Sequence, residues 1–279
     1  MNRIIKKLLL AALCFFLMTG CVHKEEKPED DDISYVTEGD LVTNIKERGF
    51  MKVGCRADVQ DLSYYDEESK TYVGLEIDLA WETAARIFGV SVKEAKAQNL
   101  VQFTEVTVAT REKLLRNGTV DVVFATFSIT KERAKRVAFS DRYYKDYLGI
   151  LVPNVQLDEN SLGPKNSIRS IANLDSKYVG VVENTTAKAH MLKYINDVNS
   201  LNIMPVFCEF ESYEITIKAL QKGVVDAVCG DISILKAYIN SNTKLLGDRF
   251  ARQNYGAAVR LGDEELLDYI NKTIKKHKA

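Results

Sequence analysis

Short apolar runs closed by glycine or polar turns alternate along this chain with stretches whose apolar residues recur every three to four positions. The runs predict strands at Met51–Cys55, Thr104–Val108, Tyr147–Val152, Met204–Phe210 and Tyr255–Val259, and a strand-to-helix passage beginning at Tyr72. The helical spacing predicts helices over Leu41–Arg48, Ile77–Phe88 with Gly89 as a stop, Arg111–Leu115, Lys131–Ala138, Thr186–Val198, Tyr213–Gln221, Leu235–Ile239 and Glu264–Lys276. Trp81, on the apolar stripe of the second helix, reads as core.

One passage occurs twice. Leu115-Arg-Asn-Gly-Thr-Val-Asp-Val-Val-Phe-Ala-Thr-Phe-Ser128 returns as Leu220-Gln-Lys-Gly-Val-Val-Asp-Ala-Val-Cys-Gly-Asp-Ile-Ser233, with Leu, Gly, Val, Asp, Val and Ser in register. Each copy reads as a helix end, a glycine in the left-handed cap position, and a strand apolar enough to be buried on both faces in a parallel sheet. Val179-Gly180-Val181 likewise echoes Val53-Gly54-Cys55, so a second strand-first unit opens there. The pattern predicts an α/β chain of two similar lobes, each a mostly parallel sheet flanked by helices, joined by two crossing hinge segments. Lobe 1 is expected over residues 41–150 and 250–279, and lobe 2 over 151–249. Asp121 and Asp226, inside the repeat, read as turn or cap residues, and Tyr143 and Tyr144 as packing near the hinge.

Charge narrows the function. The 38 Lys and Arg residues nearly balance 39 Asp and Glu, so no global field favours a polyanion, and no basic stripe interleaved with aromatics points to nucleic acid. The three histidines, His23, His190 and His277, do not make a metal site, and no cofactor is expected. At the N-terminus, Arg3, Lys6 and Lys7 precede an apolar stretch from Leu8 to Met18 that is too short to span a membrane, and Thr19-Gly20-Cys21 follows. Residues 1–20 resemble a bacterial lipoprotein signal that leaves Cys21 as the lipidated N-terminus; an ordinary secretory peptide is the alternative. Residues 21–40 read as a charged flexible tether. Either reading places the protein outside the cytoplasm, anchored to the outer face of the cytoplasmic membrane or, without lipid, secreted or periplasmic. Cys55, Cys208 and Cys229 read as small buried hydrophobes, and spacing does not decide whether Cys208 and Cys229 are joined.

Ligands of open parallel sheets meet the carboxyl ends of the strands. Here those ends offer Arg56, Ala125 to Ser128, Asn184 to Thr186, and Asp231 to Ser233, with Arg111 and Arg133 flanking the first copy of the repeat. Three arginines around one crevice call for an anion, and Asp231 opposite them suits an amine. An amino acid with a second carboxylate satisfies every charge. Arg56 has Asp58 and Asp61 as alternative salt-bridge partners, and pairing with Asp61 would leave room for an uncharged side chain such as glutamine's amide.

In Val53-Gly54, Tyr64-Tyr65-Asp66, Val73-Gly-Leu-Glu-Ile-Asp-Leu-Ala80, Ser128-Ile-Thr-Lys-Glu-Arg133, Phe139-Ser-Asp141, Tyr143-Tyr144, Thr185-Thr186, Val225-Asp-Ala-Val228, Asp231 and Tyr255-Gly256, the chain resembles the extracytoplasmic substrate-binding proteins of ABC transporters, family 3, that serve polar amino acids. The likeness runs from about Leu41 to the C-terminus and implies a periplasmic-binding-protein-like (type II) fold. By that resemblance Arg133 would hold an α-carboxylate, helped by Ser128 and by backbone amides of the Thr185-Thr186 pair. Asp231 would take the α-ammonium with the Ala125 or Thr126 carbonyl and the Ser128 hydroxyl, and Arg56 and Arg111 would clamp a side-chain carboxylate. Asn184 stands where a glycine is common, and Gly230 where some relatives place a histidine. The implied protein is a monomer that captures glutamate or aspartate, or as an alternative glutamine, and delivers it to a permease in the cytoplasmic membrane. A ligand sensor of the same fold is a further reading. An enzyme is not expected, since no histidine stands near the predicted site and no nucleophile–base pair can be assembled.

Overall fold

The computed structural model describes residues 40–154, 168–198 and 201–278. The expected signal sequence, Cys21 and all but the last residue of the tether lie outside the described residues. Among those described, no helix is long and apolar enough to cross a membrane.

The apolar runs form two sheets with the same inner order. In lobe 1, β1 (Met51–Cys55) lies between β5 (Val101–Glu105) and β6 (Val122–Phe124), all parallel. A small antiparallel sheet of β2 (Asp58–Val59), β3 (Ser63–Asp66) and β4 (Thr71–Val73) intervenes in the chain. In lobe 2, β9 (Tyr178–Val182) lies between β10 (Val206–Phe210) and β11 (Ala227–Asp231), again parallel. Each trio then gains an antiparallel fourth strand, and these come from the crossings. After β7 (Ala138–Phe139), the strand β8 (Tyr144–Pro153) runs beside β11 and also pairs β12 (Thr243–Leu245) and β13 (Phe250–Tyr255). The returning β14 (Ala258–Val259) lies between β6 and β7.

This pairing moves the crossings from the expected 150 and 250. β8 and β13 both belong to the second sheet, so the chain passes between lobes near Ser140–Tyr144 and Tyr255–Ala257. The two crossings are tied together: the Tyr143 amide donates to the Tyr255 carbonyl at 3.0 Å, the Ser140 amide to the Ala257 carbonyl at 2.9 Å, and the Tyr144 ring stacks on that of Tyr255. Apolar alternation alone cannot say which sheet recruits a strand, and this is why the boundary was misplaced.

The helices are α1 (Leu41–Arg48), α2 (Leu75–Phe88), α3 (Val92–Ala97), α4 (Arg111–Arg116), α5 (Ala187–Asp197), α6 (Tyr213–Gln221), α7 (Ile232–Leu235) and α8 (Glu264–Lys278). The helix expected over Lys131–Ala138 contracts to a single 3-10 turn, Arg133–Lys135, because Val137 turns into the core and Ala138 starts β7. The strand expected at Thr104–Val108 is displaced to Val101–Glu105, and that expected at Tyr255–Val259 is split at Gly256 between the two lobes. Trp81 is half-buried, packed edge-on against Phe103 at the margin of the core.

The repeat is structural to the atom. Gly118 and Gly223 both have left-handed backbone (φ 74° and 67°), and their amides close the preceding helices on Leu115 and Leu220. Asp121 and Asp226 stand in the bend ahead of the strand, as expected, and each also caps the neighbouring strand. Asp121 Oδ2 accepts from the amide of Lys52 at 2.7 Å, and Asp226 Oδ2 from that of Tyr178 at 2.9 Å. In both lobes the repeat aspartate fastens the N-terminal end of the central strand, where ladder hydrogen bonds run out. Gly180 shows why that strand carries a glycine: a Cβ there would stand 2.8 Å from the Thr216 methyl.

Candidate functional site

The C-terminal ends of the parallel strands in the two lobes converge on one cavity. Arg56, Thr126, Ser128, Thr185, Thr186 and Asp231 line it, as the strand-end argument expects, together with the flanking Arg111 and Arg133. Ala125 is the exception: it lies behind the wall, and its carbonyl accepts from Arg111 Nη1 at 2.7 Å. Val108, Tyr213 and Ile234 complete the lining and were not anticipated. They had no signal in the sequence beyond their neighbourhood to strand ends.

Lobe 1 supplies three buried guanidinium groups, each held differently. Arg56, following β1, is paired bidentately with Asp58, Nε to Oδ1 at 2.7 Å and Nη2 to Oδ2 at 2.6 Å. Asp61 plays no such part; its left-handed backbone (φ 67°) belongs to the turn before β3. Burial works against the Arg56 charge, but the Asp58 carboxylate outweighs it and holds the guanidinium firmly protonated. Arg111, at the start of α4, bonds only carbonyls, those of Ala125 at 2.7 Å and Thr126 at 3.4 Å. Arg133 donates to the Ser128 carbonyl at 2.9 Å and across the cleft to that of Asn184 at 2.8 Å. Both Arg111 and Arg133 lie over the buried Phe127 ring, at 4.1 and 4.8 Å from its centroid. Burial, and for Arg111 also the guanidinium groups of Arg133 and Arg56, presses their affinity for a proton down. Such groups are under-compensated and would gain from an anion.

Lobe 2 faces them with Asp231 at the end of β11. It stands at the N-cap of α7 yet makes no capping bond, and its Oδ1 is buried without a hydrogen-bond partner among the described residues. Burial first, then the charge of Asp146, raises its pKa to about 7. An unmet buried carboxylate oxygen facing a cavity is a place for a cation or a hydrogen-bond donor. Gly230 beside it leaves room for Tyr213, whose ring a Cβ at 230 would meet at 2.9 Å. That ring lies 5.5 Å from the Arg56 guanidinium.

Two strained turns shape the walls. Thr126, β-branched, has φ 47°, and Asn184 has φ 59°. Left-handed backbone is ordinary for Asn and rare for Thr, where it costs about 1–3 kcal/mol. Asn184 therefore does what a glycine does elsewhere. At Thr126 the turn is held from below: Glu76 Oε1 accepts its amide at 2.7 Å. The Thr185 hydroxyl is turned back onto the Val182 carbonyl, and that of Thr186 donates to Gln253 Oε1 at 2.9 Å. Gln253 in turn contacts His190 Nδ1 at 2.8 Å. A histidine therefore does stand near the site, one turn along α5 from Thr186, but it does not line the cavity. Burial and the Arg133 charge favour its neutral form. Cys55 and Cys229 are buried thiols that burial keeps protonated. Among the described residues no group of His, Cys, Asp and Glu is arranged to hold a metal ion.

A profile of the bacterial extracellular solute-binding proteins, family 3, matches residues 51–279. The chain belongs to that family. The glutamine-binding protein GlnH of an ABC transporter in Bacillus subtilis is 31% identical over all of this chain and 93% of its own length. The glutamate/aspartate import solute-binding protein of Escherichia coli is 27% identical over 85% of this chain and 74% of its own. Among solved structures, an ancestral arginine-binding protein bound to glutamine superposes with a TM-score of 0.63 at 31% identity, covering 83% of this chain and 92% of its own. Members of this family are extracytoplasmic solute-binding proteins, and the two-lobed fold agrees with the solved structures.

Proposed function

We propose that this family member captures a free polar α-amino acid in the cavity between its lobes and hands it to an ABC permease, with glutamine the favoured ligand. The observation that carries the reading is one cavity with an unmet carboxylate oxygen, Asp231 Oδ1, on one wall and two guanidinium groups bonded only to carbonyls on the other. A zwitterion meets both demands: its α-carboxylate on Arg133 with the Ser128 and Thr186 region, its α-ammonium on Asp231 with the Thr126 carbonyl and Ser128 hydroxyl. Two charge-assisted contacts in a closed cleft can sustain micromolar binding, about −8 kcal/mol.

The side chain of the ligand would lie towards Arg56 and Arg111. Arg56 already has its carboxylate in Asp58, which removes the reason to demand one from the ligand. That favours an amide over an acid, in line with the glutamine-binding relative. The acidic ligand expected from the arginine count remains the second reading, favoured by Arg111, which bonds carbonyls alone. The Cys21 lipid anchor, the monomeric state and the permease belong to the same proposal, resting on the sequence and the family. Binding without turnover is the reading supported by the family.

Calorimetric titration of the mature protein with the twenty amino acids tests this. Glutamine, or failing that glutamate, should bind at micromolar concentration without consumption. Binding of apolar amino acids alone, or appearance of a product, would sink the proposal.

A further inference from the structure

Glu76 is the charged group of this region that the reading above leaves without a task. It lies in the first turn of α2, is fully buried, and does not line the cavity. Its Oε1 accepts from the Thr126 amide at 2.7 Å and from the Tyr143 hydroxyl. Its Oε2 is buried with no hydrogen-bond partner among the described residues. The titratable and charged groups facing it are Cys55 and Arg56 at the end of β1, Arg111 of α4 and Tyr143 ahead of β8. Across the cavity stands Asp231, which feels the same two arginines.

Around the cavity the charges stand three against three: Arg56, Arg111 and Arg133 face Asp231, Glu76 and the half-exposed Asp58, while the buried Asp146 lies behind Asp231, held by the Ser233 amide and the Tyr255 hydroxyl. Arg56 and Arg111 also act on Glu76 directly. In a closed low-dielectric cleft an uncompensated charge costs several kcal/mol, so the ligand's net charge must be met from this set. A neutral zwitterion leaves the balance intact with Glu76 ionised. A ligand with one more negative charge restores it if one carboxylate takes a proton. Asp58 is half-exposed and held by Arg56 through two short bonds, and Asp231 is needed as an anion by the ammonium. With Asp231 Oδ1 reserved for the ammonium, Glu76 Oε2 is the other unpartnered buried carboxylate oxygen beside these arginines and can carry that proton.

We propose that Glu76 sets the charge of the amino acid accepted, so that a neutral ligand binds over an ionised Glu76 and an acidic ligand binds with uptake of one proton on Glu76 Oε2. The proton comes from solvent and no bond to the ligand changes. Burial already raises this carboxyl's affinity for a proton, and Tyr143, the Thr126 amide and the two arginines restrain it, which leaves the group able to respond. The inference rests on the amino-acid reading of the cavity. Glu76 touches no ligand; it acts through Thr126, whose carbonyl and hydroxyl lie against Arg111 and Arg56.

The test is titration calorimetry of the mature protein with L-glutamine and L-glutamate at pH 6, 7 and 8, in buffers of contrasting ionisation enthalpy. Glutamate should take up close to one proton more than glutamine. The glutamate-to-glutamine affinity ratio should fall by up to tenfold per pH unit. In Glu76→Gln the extra uptake should vanish and the ratio become independent of pH, at a value nearer the wild type's at pH 6. Equal proton uptake for the two ligands in the wild type overturns the inference without needing the variant to fold. So does persistence of the extra uptake in Glu76→Gln, which would place the proton on the ligand or elsewhere. Glutamine binding with no detectable glutamate binding even at pH 6 also overturns it. If neither ligand binds, the amino-acid reading itself fails, a result distinct from all of these.

Discussion

The two copies of the repeat agree in everything that builds a lobe and differ in what each presents to the cavity. Gly118 and Gly223 turn the chain alike, and Asp121 and Asp226 each fasten an amide at the N-terminal end of the central strand. Beyond the strands they part. The first copy ends in Ala125-Thr126-Phe127-Ser128, a strained turn whose carbonyls and aromatic ring hold Arg111 and Arg133. The second ends in Gly230-Asp231, a bare position that admits the Tyr213 ring and a carboxylate with an unmet oxygen. One lobe is a cationic wall, the other an anionic point. The same scaffold can carry either, because strand pairing is fixed at the N-terminal ends and the ligand is met at the C-terminal ends.

The comparison can be broken most forcefully at Arg133. Arg133→Ala should lower affinity for the amino acid by about 2–5 kcal/mol, some thirtyfold to several-thousandfold, read by calorimetry. A loss under threefold would mean that the cationic wall does not hold the carboxylate. Next comes the anionic point. Asp231→Asn should cost binding roughly 2–4 kcal/mol. The same change should stabilise the ligand-free protein to thermal melting, because it removes a desolvated charge.

Asp231 also gives the comparison a pH axis. Its folded pKa of about 7 exceeds the unfolded value, so the empty protein binds more protons than the unfolded chain and loses stability as pH rises from about 4 to 7. The ammonium needs the ionised carboxylate, so ligand affinity should rise over the approach to pH 7 and level off above it. A flat affinity profile for glutamine between pH 5 and 8 would refute the assignment. Smaller still is the effect of Asp58→Asn, which frees Arg56 and should move the glutamate-to-glutamine affinity ratio about tenfold towards glutamate. The scaffold half of the comparison is tested by Asp226→Asn, expected to cost about 1–2 kcal/mol of folding stability with ligand affinity unchanged.

Much of this was legible in the chain. The in-register repeat gave two lobes, and the strand-end rule named Arg56, Thr126, Ser128, Thr185, Thr186 and Asp231 among the residues that line the cavity. Arg111 and Arg133 flank the first copy of the repeat, and their assignment to the ligand rested chiefly on the family resemblance, for Arg133 on the Ser128-Ile-Thr-Lys-Glu-Arg133 motif. The crossings were not legible. Tyr144–Pro153 is as apolar as strands of either lobe, whereas Phe250–Tyr255 carries Arg252, Gln253 and Asn254 and gives no apolar strand signal; only pairing assigns both to the second sheet. Nor was Asp58's claim on Arg56 over Asp61, which depends on the left-handed turn at Asp61.

Sequence by itself determined the architecture and the chemistry at its edges, because hydrophobic periodicity and the repeat are local properties that survive without coordinates. Tertiary structure alone decided how those charges are spent. It paired Arg56, left Asp231 Oδ1 unmet, brought His190 to Gln253 behind Thr186, and placed Glu76 beneath Thr126. Which carboxylate meets which guanidinium depends on distances and burial between residues far apart in the chain, and those exist only once both lobes are folded.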